Sequence, residues 1–509
     1  MGQPTFLLFL LLLWPCVVSE NLQGNEVAYM KKLRKAISPA PPDWFTQSNM
    51  CDWSHVTCTD ITIGLSSIES INLMSKSLKG ELPPGLNNSL RNLKTLVLTN
   101  NNLTGPVPSF AGLSILQVLD LGFNNFTSVP DGAFQGLIRL QPKYDLVISL
   151  AKTCNQEFRL DNNTNLAPWT FPATLSASSK LNQLSLTNAN LVGSLPDAFH
   201  SFRDLEYLGL SQNSLTGSLP NSITKLLTLQ SLHLENQQNL SGKRIPFIHD
   251  PVGIREPSGE QFPGSSPDLS NCTNLTELKL HGNQFTGVVP PSLMNLSSLE
   301  EVSLDNNYLQ GPMPAFNENV SATLEGNGFC LNQPGRPCDH RVTTLLQVAE
   351  AFAYPLLLAR TWRGNNPCKR WSFITCDIQG KIRTLNLTNL NLNGTISPAF
   401  ANLTDLRELY LGRNNLTDSI PESLTALSQL KILDVSNNNL SGSVPRFSPN
   451  TILNTANNSF LVWSSLSPIE SPPAPPLTSL PSPATPSTNK ASPTTSRSSY
   501  HLWIKLGTI

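Results

Sequence analysis

The sequence predicts an α/β solenoid, a right-handed superhelix wound in two stacks with a non-repeat island between them. Three observations predict it. First, Leu93–Pro108, Leu205–Pro220, Leu299–Pro314, Leu406–Pro421 and Leu430–Pro445 each read close to LxxLxLxxNxLxGxIP. Second, the asparagine of that motif returns after 24 residues, from Asn283 to Asn307 and again from Asn414 to Asn438. A period of that size marks coils that bury a core only by stacking on their neighbours. Third, a helical stretch, tryptophans and a short cysteine loop precede each run of repeats, as a stack with an otherwise exposed apolar end requires.

Composition narrows the partners. The 509 residues carry 14% charged side chains and a net charge of −1, against a usual charged share of about a quarter. Nothing there suggests nucleic acid or an anionic membrane. Residues 1–19 read as a secretory signal peptide: Phe6–Leu13 is wholly apolar, and Ser19 offers a small residue at the cleavage point. The run is too short for a membrane span. Its leading residues hold no Lys or Arg. Phe6 stands where myristoylation needs Ser or Thr, which removes that reading of Met1-Gly2.

Eight of the nine cysteines lie beyond the signal, and six form close pairs: Cys51 with Cys58, Cys330 with Cys338, and Cys368 with Cys376. Such pairs fit disulfides in an oxidising compartment. Zinc fits less well, because the spacings exceed CxxC and no histidine set accompanies them. Cys154 and Cys272 stand several coils apart, roughly 20 Å at about 4.8 Å per coil, so they meet only if a loop folds back.

Along the chain, residues 20–62 form the N-terminal cap. Val27, Met30, Leu33 and Ile37 share a helical face, and Trp44 and Trp53 supply cap core. Residues 63–314 form the first stack, with ladder positions at Lys76, Asn101, Asn124, Asn163, Ala189, Asn213, Gln237, Asn283 and Asn307. Each LxL is expected as a short parallel strand on the concave face, leucines inward and alternate residues to solvent. The asparagine satisfies backbone groups of the next turn. Irregular inserts fall near residues 142–159 and 243–268; neither shows helix or strand periodicity. Insertion on a binding face and a transcript-level origin both fit, the second being the plainer.

Residues 315–380 form the capping island: a closing segment tied by Cys330 and Cys338, an amphipathic helix over Val342–Leu358, then Trp362, Trp371 and Cys376. Residues 381–445 form the second stack, three repeats long, and 446–463 its C-terminal cap. Residues 464–509 are a disordered tail, rich in Pro, Ser and Thr up to Ser499 and without a span of about 20 apolar residues.

Asn-x-Ser/Thr acceptors include Asn102, Asn125, Asn271, Asn274, Asn295, Asn386, Asn402, Asn415 and Asn439. The repeat itself creates several of them, since NxLxG with Thr before Gly makes the motif.

The LxGxIP form is that of plant extracellular leucine-rich repeats. The long stack, the island with Trp362-Arg363-Gly364-Asn365-Asn366-Pro367-Cys368, and the short stack resemble the ectodomain of the transmembrane kinase family of plant receptor-like kinases. Further matching segments are Asn307–Pro312, Val348-Ala349-Glu350, Gly394–Pro398 and Leu433–Asn438; the resemblance covers roughly Asn25 to Asn458. It implies a plant-type leucine-rich repeat superhelix and an extracellular recognition module in cell-surface, auxin-related growth signalling. The implied partners are a protein or peptide ligand or a co-receptor, with the membrane reached only through a downstream helix. Intact members are Ser/Thr kinases. This chain holds no GxGxxG loop with a catalytic lysine and no His-Arg-Asp loop, so it is expected not to be an enzyme and to need no cofactor.

The candidate binding residues are outward positions of the concave strands: Tyr207, His233, Glu235, Lys279, His281 and Asp305 in the first stack, and Tyr410 and Arg413 in the second. For any one of them a solvated face is the plainer reading. His281 beside Asp305 and Glu301 suggests a pH-sensitive patch. A secreted inhibitor of cell-wall hydrolases or a soluble decoy is the competing function, although such inhibitors form one uninterrupted stack. No nucleophile–base or paired-carboxylate arrangement, and no metal-ligand set, is visible in the sequence.

Overall fold

The computed structural model describes residues 21–22, 24–62, 65–137, 156–177, 179–237, 263–265 and 268–462. The signal segment, the tail beyond Val462 and Cys154 lie outside the described residues.

Most coils contribute a three-residue strand whose central apolar side chain points into the stack. Tyr207–Gly209, Ser231–His233, Glu277–Lys279 and Glu301–Ser303 pair in parallel and in register. Their central residues Leu208, Leu232, Leu278 and Val302 are fully buried. Repeated along the stack, this gives one long sheet from Leu65–Asn72 to Ser321–Thr323. A second sheet runs from Ile374–Cys376 to Ile452–Asn454. The buried side chains form two separate cores, one per stack. Burying each leucine contributes about 1.5–3 kcal/mol, so the apolar periodicity alone is enough to select this fold.

The ladder asparagine works as its chemistry requires. Asn213 Nδ2 donates to the Leu186 and Leu210 carbonyls at 2.8 Å each. Its Oδ1 accepts from Ala189 N at 3.1 Å and Leu191 N at 2.9 Å. With a further bond to the Ser211 carbonyl at 3.1 Å, one side chain thus satisfies five backbone groups in two adjacent coils, where an unpaired group would cost about 1–3 kcal/mol. Gln237 substitutes for asparagine, donating to the Leu210 carbonyl at 2.9 Å and accepting from Leu215 N at 3.2 Å.

Several expectations are corrected. The xLxG segments add strands to the expected LxL ones. Trp169–Thr170, Leu191–Ser194 and Ser214–Thr216 form one short parallel sheet, and Asn393–Thr395 pairs with Asn415–Thr417. Many of the described coils therefore carry two strands. Glu157–Arg159, placed at the end of the first insert, is a full member of the concave sheet between Val118–Asp120 and Gln183–Ser185. Within the second insert, Pro263–Ser265 pairs with Gln284–Thr286. Three-residue strands are too short for periodicity to reveal.

Both stacks also run one coil beyond their expected ends. Asn327 donates to Leu304 O and Leu324 O at 2.9 Å, and Ser321–Thr323 extends the sheet. Asn458 likewise donates to Val435 O at 2.9 Å, and Ile452–Asn454 pairs with Ile432–Asp434. These coils are shorter than 24 residues, which hid them: the ladder bonds there span 18 residues, against 22 in full coils.

The single island helix is two, His340–Ala351 and Leu356–Thr361. Ala353 and Tyr354 adopt φ of 56° and 51°, and Pro355 removes a backbone donor, so the helix stops and restarts. At that break Thr286 Oγ1 donates to Tyr354 O at 2.8 Å, tying the island to the first stack.

Candidate recognition face

The outward residues of the concave strands form columns across successive coils. A polar network crosses them. At one end, Arg159 donates to Gln183 Oε1 at 2.6 Å. Asp161 Oδ1 accepts from Ser185 Oγ at 2.5 Å and from Thr187 N at 2.9 Å. Burial pushes the Asp161 carboxyl above its ordinary value despite those bonds. Tyr207 lies flat over Gly209: a Cβ added there would stand 2.8 Å from the Tyr207 ring and 2.9 Å from Ser185 Oγ. Gly209 is thus the gap that lets the ring cover the sheet.

The Tyr207 hydroxyl stands 3.4 Å from His233 Nδ1, with the two rings edge-on at 5.2 Å. His233 Nε2 lies 2.9 Å from Glu277 Oε2. Glu277 also pairs with Lys279, which reaches Glu301 at 3.6 Å. Burial opposes ionisation of Glu277, but its bonds to Lys279 and His233 prevail and hold the carboxyl below its ordinary value. The bond to Glu277 in turn raises Lys279.

The structure therefore brings Tyr207, His233 and Lys279 into one patch, with Glu277 as its hub. It alters the expected role of His281. Its Nε2 stands 3.3 Å from Asn236 Nδ2, while Asp305 accepts from Thr323 Oγ1 at 2.7 Å. On this face the histidine within ion-pair distance of a carboxylate is His233. Tyr410, near Glu408 and Asp434, and Arg413 sit in the second stack and do not join this patch. Arg159, Asp161, Gln183 and Ser185 were missed. Their flanking Leu160, Leu184 and Leu186 carried the same alternating signal.

The cysteine pairs Cys51–Cys58, Cys330–Cys338 and Cys368–Cys376 are disulfides with Cα–Cα distances of 5.6, 5.7 and 5.6 Å. Cys272 is a buried thiol, pushed up to about 11 by burial. Among the acceptor asparagines, Asn102, Asn271, Asn274, Asn295, Asn386, Asn402, Asn415 and Asn439 are exposed, and Asn125 is half-buried. Among the described residues no His/Cys/Asp/Glu group of metal-binding geometry occurs, and no helix is long and apolar enough to cross a membrane.

Together, the repeated coil, the double cap and the polar concave face define a plant-type leucine-rich repeat solenoid. Known families agree. Leucine rich repeat matches cover residues 91–142 and 380–440, with further ones at 204–226 and 274–296. The leucine rich repeat N-terminal domain matches twice, at 24–59 and at 338–377.

Receptor-like kinase TMK4 of Arabidopsis thaliana is 40% identical over 414 residues, covering 81% of this chain and 42% of the relative. Receptor-like kinase TMK2 of the same plant is 38% identical, covering 78% and 44%. Receptor protein kinase WSS1 of Oryza sativa subsp. japonica is 39% identical, covering 79% and 42%. The chain is similar to these plant leucine-rich repeat receptor-like kinases over its caps and repeat stacks. It spans less than half the length of these relatives. Among solved structures, the PEPR1–AtPEP1 complex aligns at TM-score 0.44 and 23% identity, covering 87% of this chain and 59% of that one. The Arabidopsis HAESA ectodomain aligns at 0.43 and 17%, covering 86% and 73%.

Proposed function

We propose that this chain is the extracellular recognition portion of a receptor-like kinase. It binds a protein or peptide ligand, or a co-receptor, along the concave face of its first stack, and it acts by binding rather than by catalysis. The observation that carries this is the polar network from Arg159 through Tyr207, His233, Glu277 and Lys279 to Glu301, held in register on a rigid sheet. Solenoids use such extended concave surfaces for partners. Three disulfides and the exposed acceptor asparagines support a secreted or cell-surface location.

A glycan placed on the face tests the proposal. Glu301→Asn creates an acceptor with Val302-Ser303, on a side chain that is 46% exposed. Ala426→Asn, before Leu427-Ser428, places a matching glycan on an exposed turn away from the concave sheets. Both variants are secreted from plant cells and cross-linked to cell-surface proteins. The proposal expects partner capture to fall with Glu301→Asn and to persist with Ala426→Asn. Equal capture by both would contradict it.

A further inference from the structure

Asn386 stands apart from the other acceptor asparagines. It heads Asn386-Leu387-Thr388 and ends the strand Ile382–Asn386. Among the described residues it is the one acceptor within a strand of either concave sheet. Asn102 and Asn415 begin the xLxG strands Asn102–Thr104 and Asn415–Thr417. Asn295 follows the helical turn Pro291–Met294, and Asn402 ends Pro398–Asn402. Leu385 and Leu387 are fully buried, so the alternation sets Asn386 outward, where it is exposed. Its Oδ1 accepts from Thr388 N at 3.1 Å, while its Nδ2, the atom that carries a sugar, bonds no described residue. Asn125 and Asn274, by contrast, donate through Nδ2 to Asn102 Oδ1 and, at 3.0 Å, to Leu227 O.

Register makes that position consequential. Asn386 pairs with Tyr410, Tyr410 with Asp434 and Asp434 with Asn454, one column across the parallel strands of the second sheet. The column is three strand spacings long, roughly 15 Å. An N-linked glycan is bulky, and one rooted in this column keeps a macromolecule from lying flat on so short a face. The corresponding column of the first stack runs through Arg159, Ser185, Gly209, His233, Lys279 and Ser303 and holds no acceptor. We propose that Asn386 carries an N-linked glycan that bars protein partners from the concave face of the second stack. The claim concerns that stack alone and holds wherever a partner meets the first.

The test uses the whole chain secreted from plant cells. Glycopeptide mass spectrometry should find Asn386 occupied. A tyrosine-selective diazonium reagent is then applied bare and coupled to a long polyethylene glycol chain, and labelling of Tyr410, the strand neighbour of Asn386, is read by peptide mapping. The coupled-to-bare ratio at Tyr410 should rise severalfold in Asn386→Gln. It should rise equally in Thr388→Ala, which removes the acceptor motif but keeps the asparagine and its bond to residue 388. The ratio at Tyr207, in the first stack, should stay unchanged. Melting curves check that each variant folds. An unoccupied Asn386, or a ratio at Tyr410 that neither variant moves, would overturn the proposal. A rise in Asn386→Gln alone would trace to the lost backbone bond rather than the glycan and would overturn it too.

Discussion

The N-terminal cap and the island are the same device used in two settings. In the first, Trp44 Nε1 donates to Ser54 O at 2.9 Å and Trp53 Nε1 to Gln47 O at 3.1 Å. In the second, Trp362 Nε1 donates to Ser372 O at 3.0 Å and Trp371 Nε1 to Arg363 O at 2.8 Å. The tryptophan pairs stack at 4.7 and 5.4 Å. Each cap ends in a short disulfide loop and an antiparallel strand that starts its sheet.

The outer sides differ. In the first cap Arg34 covers Phe45, its guanidinium 5.0 Å from the ring centroid, and Phe45 remains 61% exposed. In the island that side meets the first stack. Gln310 Nε2 donates to Trp362 O at 2.7 Å, and Arg363 donates to Asn327 O at 2.5 Å. A cap thus becomes a joint when its solvent side finds a neighbouring coil. A short stack of few coils gains from that, since terminal repeats need covering at both ends.

Tryptophan removal should break the symmetry most. Trp44→Ala and Trp362→Ala each delete a fully buried ring, at a cost of about 3–5 kcal/mol. Hydrogen exchange should show Trp44→Ala loosening the first stack alone. Trp362→Ala should loosen the second stack and also the coil around Gln310. Identical exchange patterns in the two variants would deny that the island is a joint.

Disulfide removal comes next. Cys51→Ser with Cys58→Ser, and Cys368→Ser with Cys376→Ser, open loops of sequence separation 7 and 8. Chain entropy gives about 2–3 kcal/mol for each. Urea unfolding should find the two losses nearly equal, because the loops are nearly equal; a large inequality would show that the joint changes what the disulfide does.

Glycine replacement sharpens the same pairing. Gly80 and Gly394 have φ of 107° and 103°, and a Cβ on either would stand 2.0 or 2.1 Å from the Ala36 or Ala351 carbonyl oxygen. Alanine at either place should cost more than about 1 kcal/mol, read as a lowered urea midpoint. A neutral result at one site would break the equivalence of the caps.

The smallest effect concerns the helix His340–Ala351. Asp339 caps it, accepting from Arg341 N at 2.8 Å, and its side-chain bonds to Arg341 hold the carboxyl below its ordinary value. A depressed carboxylate contributes stability above its unfolded pKa, about 3.9, and loses it as pH falls through the folded value. Asp339→Ala should therefore cost about 1 kcal/mol at neutral pH. The difference in melting temperature should shrink in acid. A difference that grows in acid would contradict the assignment.

Much of this was legible in the sequence because leucine spacing and the ladder asparagine are local, repeated constraints. Leu208, Leu232 and Leu278 could be placed from spacing alone, and so could the outward positions of Tyr207, His233 and Lys279. The shortened coils around Asn327 and Asn458 were not legible, because their period departs from 24. Nor was the helix break at Ala353-Tyr354, whose left-handed backbone depends on packing against Thr286. The partner of each histidine was equally hidden. Outward position follows from alternation, but whether His233 or His281 reaches a carboxylate depends on side-chain rotamers across coils distant in sequence.

Side-chain footprinting of the chain with and without a cross-linked cell-surface partner tests the central claim most directly. The account predicts that modification of Tyr207, His233 and Lys279 falls when the partner is bound, while Tyr308 and Tyr354 stay unchanged. Protection of Tyr308 and Tyr354 with Tyr207, His233 and Lys279 unaffected would contradict it.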